Sequence, residues 1–540
     1  MKRLVLLLVL SGCLLAEALA VEAPLANAGR KGLQAKTIDE MLALPDEEID
    51  IGLGALLIGK EYDLNLDVPK YLARLDQMAL ELRSRIGKQT QPRKVLSVMS
   101  SYICKNRRYT PVKDEEAVGE DSMLHCVLAR TKGTCVGLTT LYLALAERLG
   151  VPLFGACAPH HAFVRYRSDG TAINIEPVRK GDTFPHSAYI KTFFGGRAPD
   201  EDSFYMRNLG KREFLGILLN DLGAAYSNQG KVEQAISARK RAISVNPTFA
   251  DPWISLGAHL RQRNPDEAVE AFKKGLVSNP HDGQGWFLLG YIYWDQDKLD
   301  EAIEAWKKAA AAKAAKTELA GAWLALGNAY HRQGKRDEAI QAFRKCLEID
   351  PQRASVWYAL GVSFLDAGSV AEAIGALKKA AAIEPKYVEA WLMLGVAYSD
   401  QSRLKEAIKA WGEAVAIDPQ CARGWYNLGN AYREQKELRR AIRAYEKALE
   451  IDPRYTEAWN NLGVTYADQN NDDAAIRAFK KALDLNPEHA NAWYGLGVIY
   501  YCAGDYRSAQ EHLRKAQQLG HEAARELLEK VEANLKEPQG

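Results

Sequence analysis

A leucine–glycine pair returns along the C-terminal part of this chain, with its glycine at Gly223, Gly257, Gly290, Gly327, Gly361, Gly395, Gly429, Gly463 and Gly497. The steps are 34, 33 and 37 residues, then 34 five times. Three residues before each leucine stands Leu219, and then Trp253, Trp286, Trp323, Trp357, Trp391, Trp425, Trp459 and Trp493. Eight of the eleven tryptophans are committed to this one position, so a structural unit is repeated and not merely a composition. An alanine keeps the same register from Ala235 to Ala509, and a proline closes most units, at Pro247, Pro280, Pro351, Pro385, Pro419, Pro453 and Pro487. Alanine lets two helices approach closely, and proline, which has no N–H to donate, ends the second of them. One such helix pair cannot bury its apolar face alone, so neighbours must stack.

The period, the tryptophan and the leucine–glycine pair resemble the tetratricopeptide repeat, in nine units over residues 216–523. The resemblance implies an all-α solenoid with a groove lined by the first helix of each unit, here Tyr358, Tyr426, Asn430, Arg433, Asn460 and Tyr494 on an exposed face. Aromatic and amide side chains suit an extended peptide, so a protein or peptide partner is expected. Residues 521–536 are amphipathic and read as a cap helix. The third unit is three residues too long and lacks its proline; its alanine tract, Ala309 to Ala315 interrupted by Lys313, should extend that unit's second helix. Cys346 stands where other units carry alanine and reads as a packed small residue.

A different module occupies residues 37–200. Up to residue 100 its apolar positions, such as Val68, Leu72, Leu75, Met78 and Leu82, fall at spacings of three and four and predict a helical lead-in. Gly133-Thr134-Cys135-Val136-Gly137 then runs into an apolar helix that ends at Gly150-Val151-Pro152, which puts Cys135 at a helix start. The positive end of a helix favours a thiolate, the form that attacks a carbonyl carbon, and such a nucleophile needs a base. Residues 161–166 and 171–176 flank Arg167-Ser168-Asp169-Gly170 as a hairpin. A four-residue loop sets His161 opposite Glu176, and a two-residue loop sets it opposite Val178. In both cases Asn174 and Glu176 share the face of His161, because side chains alternate along a strand. Glu176, with Asn174 as the alternative, can therefore orient the imidazole. His160 points to the opposite face.

The stretches GTCVGLTTLYLALAERLGVP and PHHAFVRY resemble the core of the transglutaminase-like superfamily, which has a papain-like cysteine hydrolase fold. With the lead-in EEIDIGLGALLIGKEYDLNLDVPKYLARLDQMALELRSRI, the chain is similar to a bacterial subgroup that joins this core to C-terminal tetratricopeptide repeats. The resemblance implies an α+β domain with Cys135 as nucleophile, His161 as base and Glu176 as third member, where the family usually has aspartate. It implies a protease, amidase or acyltransferase acting on amide bonds through an acyl-thioester, with no cofactor. The alternative it allows is an inactive fold serving as an envelope scaffold or assembly factor.

Met1-Lys2-Arg3 and the apolar run Leu4 to Leu10 form a basic start and a short hydrophobic stretch, the pattern of an export signal. Cleavage after Ala18-Leu19-Ala20 would remove residues 1–20. Leu10-Ser11-Gly12-Cys13 instead resembles a lipobox, with cleavage before Cys13 and lipidation of that cysteine. The protein is thus expected to be periplasmic or secreted, or held at a membrane as a lipoprotein through that anchor alone. Seven further cysteines show no zinc spacing, so no metal is expected. A net charge of +2, from 71 basic and 69 acidic side chains, gives no field to steer the chain to nucleic acid.

Overall fold

The computed structural model describes residues 25–112, 119–168, 170–194, 204–312 and 316–536, so the expected signal segment 1–20 and Cys13 lie outside the described residues. The chain divides into two compact units, Met1–Ala314 and Ala315–Gly540.

The first unit begins with four helices, α1 (Ile38–Ala43), α2 (Ile51–Tyr62), α3 (Val68–Ile86) and α4 (Pro92–Ser101). Side-chain oxygens start three of them: Thr37, Asp50 and Asp67 accept the N–H of Glu40, Leu53 and Lys70. A short parallel pair, β1 (Thr110–Pro111) with β2 (Lys132–Gly133), brackets α5 (Leu124–Arg130) and leads into α6 (Cys135–Leu149). Because α6 is apolar nearly all round, it is buried along almost its whole length and closes with Gly150 in the left-handed conformation. A four-stranded antiparallel meander follows, β3 (Leu153–Ala158), β4 (His161–Ser168), β5 (Thr171–Glu176) and β6 (Asp182–Phe184), and then α7 (His186–Phe194).

Three helix pairs complete this unit: α8 (Lys211–Asn228) with α9 (Val232–Val245), α10 (Ala250–Leu260) with α11 (Pro265–Ser278), and α12 (Gly283–Asp295) with α13 (Leu299–Ala311). One apolar core runs without a break from Ile38 to Ala250, so packing does not stop between the sheet and the first helix pair. Gly155 makes that junction feasible, since a Cβ there would lie 2.4 Å from the Phe214 ring on α8.

The alanine tract behaves otherwise than expected. Helix α13 ends at Ala311, and the added length appears in the next unit's first helix, α14 (Lys316–Arg332), which has 17 residues where most first helices have 13. Ala310, Ala311 and Ala312 are no longer buried, and alanine propensity alone does not sustain an unpacked turn.

In the second unit, helix pairs continue from α14 to a last helix, Glu522–Lys536, whose Ala524, Leu528 and Val531 pack on Leu513 and Ala516. The repeated residues have a mechanical reason. The tryptophan indole N–H donates to the carbonyl of the closing proline six residues earlier, at 2.9–3.1 Å for Trp357, Trp391, Trp425, Trp459 and Trp493. Tryptophan and proline thus fasten each turn as a pair. The repeat glycine is equally constrained. A Cβ on Gly395 would sit 2.3 Å from the indole nitrogen of buried Trp411, so Gly395→Ala should cost about 1–3 kcal/mol in urea unfolding. Gly412, also helical, meets nothing within 4 Å, and Gly412→Ala should instead stabilise by about 0.5–1 kcal/mol.

Candidate active site

Cys135 is the first residue of α6, and the turn before it is built to stay there. Thr134 caps the helix by accepting the Gly137 N–H at 3.2 Å, and its hydroxyl lies 2.7 Å from that of Ser122. The Thr134 N–H donates to the Asp121 carbonyl, and Gly137 lets that loop come close, since a Cβ would be 2.7 Å from the same oxygen. The thiol is half-buried at the positive end of a fixed helix.

His161 opens β4. Ser168 pairs with Thr171, so the hairpin has the two-residue loop, and Glu176 is a diagonal neighbour of His161 on the same face. His161 Nε2 lies 2.7 Å from Glu176 Oε2, and the Cys135 thiol is near enough to act on the ring's ionisation. Burial works against a charge on the ring. The hydrogen bonds to Cys135 and Glu176 and the charges of both outweigh it, and the pKa of His161 rises to about 10. The imidazolium is therefore the resting form at neutral pH.

Asn174 does not take part. It faces Arg165 across the ladder, where its Oδ1 accepts from Arg165 Nε at 2.7 Å and its Nδ2 donates to the Phe184 carbonyl. The shorter loop shifts the register and commits Asn174 elsewhere, which corrects the alternative assignment of that residue. His160 sits in the left-handed turn between β3 and β4, 3.6 Å from Asp251 and 3.7 Å from Asp282.

Two residues at this site carry no motif. Tyr189 of α7 donates its hydroxyl to Glu176 Oε2 at 3.1 Å, and Phe193 stacks on His161 with centroids 5.2 Å apart. Their spacing of four in HSAYIKTFF was the available signal: two rings on one face of a short helix. A cavity of about 270 Å³ adjoins the site, with Val136 and His161 on one wall and Asn220, Asp221, Asp251 and Gln284 on the other. That second wall comes from α8, α10 and α12, the first helices of three pairs. Burial, with Asp251 adding to it, raises the pKa of Asp221 to about 7. A larger hollow of about 720 Å³, between Trp459, Tyr466 and Arg477, is lined by neither cysteine nor histidine.

Among the described residues the other cysteines are not paired with one another. Burial pushes the thiols of Cys126, to about 11, and Cys157 upward, and buried Cys346 donates to the Ala320 carbonyl. Among the described residues no group of three or more His, Cys, Asp or Glu is arranged to hold a metal ion.

The expected groove residues divide. Asn430 Oδ1 accepts from Asn461 Nδ2 at 2.9 Å and from the Tyr445 hydroxyl at 2.6 Å, and Asn461 also donates to the Tyr426 hydroxyl. Tyr358, Tyr426, Arg433 and Tyr494 are half-buried, and Tyr494 stacks on His521 at 4.0 Å. Asn460 is only 7% exposed, which corrects its place on an exposed face: it packs inside the helix layer, and its neighbour Asn461 joins the amide–tyrosine network.

Comparison with known proteins agrees with this architecture. The model of the transglutaminase-like superfamily matches residues 69–220. Tetratricopeptide-repeat models match 218–249, 429–470, 456–489 and 473–531, and that of the cilia- and flagella-associated protein 70 C-terminal domain matches 257–420. A "UPF0162 protein" of Xylella fastidiosa strain Temecula1 is 24% identical over 248 residues, 45% of this chain and 88% of that protein. Among solved structures, MamA is 32% identical over 32% of this chain and 93% of its own, with a TM-score of 0.30. A tetratricopeptide-repeat protein of Cytophaga hutchinsonii is 20% identical over 45% of this chain and 99% of its own, with a TM-score of 0.39. Residues 69–220 are a transglutaminase-like domain of α+β fold, followed in the same chain by an all-helical tetratricopeptide-repeat array.

Proposed function

We propose that this protein is an exported cysteine hydrolase or acyltransferase that works on amide bonds and recruits a protein or peptide substrate through its repeats. The observation that carries the reading is the line from Cys135 through His161 to Glu176, at the start of a buried helix and beside a cavity. Cys135 sulfur, its proton having passed to His161, adds to the amide carbon, and the N–H groups of Cys135 and Val136, which the helix start leaves without intrahelical acceptors, face the developing oxyanion. The C–N bond then breaks, His161 gives its proton to the leaving amine, and the acyl group remains on sulfur as a thioester. Water or an amine attacks the thioester, His161 takes the attacker's proton, and the C–S bond breaks, returning the Cys135 thiolate and releasing the acid or a new amide. Glu176, held by Tyr189, keeps the imidazole charged and oriented.

Because one wall of the cavity belongs to repeat helices, a polypeptide held by the first repeats would lie beside His161. Mapping iodoacetamide adducts at pH 7 tests the chemistry. Cys135 should label faster than exposed Cys502, and His161→Ala should slow it roughly 100-fold, the low end of what a positioned base contributes. Labelling of Cys135 no faster than Cys502, or insensitive to His161→Ala, would reject the enzyme in favour of a scaffold built on a retired fold. Export rests on the basic start and the Leu4–Leu10 run, and the intact mass of the mature protein reads it: a chain beginning at Val21, or at a lipidated Cys13.

A further inference from the structure

At the far end of β4 the same sheet face carries a second hollow, of about 500 Å³, whose lining includes Arg93, Arg165, Arg167, Thr183 and His186 and, among the described residues, neither Asp nor Glu. Arg165 is the unusual member. It lies four residues beyond His161 along the strand, about 13 Å away, and only 7% of it is exposed. Its Nε donates to Asn174, one terminal nitrogen to the Met206 carbonyl and Asn208, and the other to His186 Nδ1 at 3.2 Å; its plane lies over the Phe163 ring. All these partners are neutral. A buried guanidinium is normally set against a carboxylate, because burying an unpaired charge is costly.

Neutral partners hold Arg165 in place and use four of its five N–H groups, so one remains. Since the guanidinium can only donate, His186 Nδ1 accepts, and its Nε2 is left as a further donor. Arg93 and Arg167 add two exposed guanidinium groups at the rim. We infer that this hollow is a binding site for a small anionic ligand bearing phosphate or carboxylate groups. Three cations with no acid among the described lining residues, in a concavity within the size range of small-molecule sites of about 300–1,000 Å³, suit a doubly charged group and leave room for the molecule that carries it.

Calorimetric titration of the full chain at low salt, with inorganic phosphate in one series and citrate in another, tests the assignment. Saturable binding of either probe is expected, weakened about 10-fold or more by Arg93→Ala or Arg167→Ala, exposed residues whose loss does not open the core. Binding of phosphate alone marks a phosphoryl ligand, and binding of citrate alone a polycarboxylate. Cys135→Ala should bind as the wild type does, so the result stands apart from any thiol chemistry. No binding of either probe, or binding that both arginine variants leave unchanged, overturns the inference.

Discussion

Arg148→Leu is expected to destabilise the first unit by about 3–5 kcal/mol, the cost of removing one partner from a buried ion pair. Arg148 lies inside, fully buried on α6, with its Nε 2.6 Å from Asp76 and one terminal nitrogen 3.8 Å from Asp50, itself fully buried. Asp50 also caps α2 and accepts from Asn27 at 2.6 Å, so the pair joins the helical lead-in to the helix that carries Cys135. Leucine would leave the Asp50 carboxylate without its cation in an apolar layer. The penalty belongs to the orphaned charge and not to lost packing, so a double variant, Asp50→Asn with Arg148→Leu, should recover much of it. Urea unfolding of the single and double variants measures both. A single variant within about 1 kcal/mol of the wild type would refute the coupling.

The second large effect is a titration. NMR of the His161 ring should show a midpoint near pH 10 in place of the ordinary 6.5, and Cys135→Ala or Glu176→Gln should each lower it by roughly 1–3 pH units. The sign for stability follows from linkage. His161 has a folded pKa above its unfolded value, so its stabilising contribution is full below about pH 6.5 and is lost as pH rises through about 10. The melting temperature of the wild type should therefore approach that of Glu176→Gln as pH climbs from about 7 to about 10.5. A ring that titrates near 6.5 would remove the charged pair from the chemistry.

The repeats were readable because their constraint is local. A tryptophan that must reach a proline carbonyl six residues back, and a glycine that must admit a ring, recur at fixed intervals whatever surrounds them. The cysteine, histidine and glutamate were readable because a helix start and strand alternation assign each a direction. Alternation names a face but not a neighbour. Whether Glu176 or Asn174 meets His161 depends on one turn, and only the pairing of Ser168 with Thr171 decides it. Tyr189 and Phe193 escaped notice because nothing nearby in sequence says what a short helix will cover. The alanine tract misled for a related reason: propensity favours helix there, but Ala310 to Ala312 are not buried.

The apolar core that continues from the sheet into α8, and the far wall that α8, α10 and α12 give the hollow beside His161, make these repeats poor candidates for transplantation. Truncation after residue 200 would strip away half of that hollow's boundary and leave the face that Phe214 and Leu218 cover open to water, and a foreign array grafted at the same seam would redraw the thiol's surroundings. Changes selected on those three helices for what they hold are thereby also changes in what the sulfur can reach.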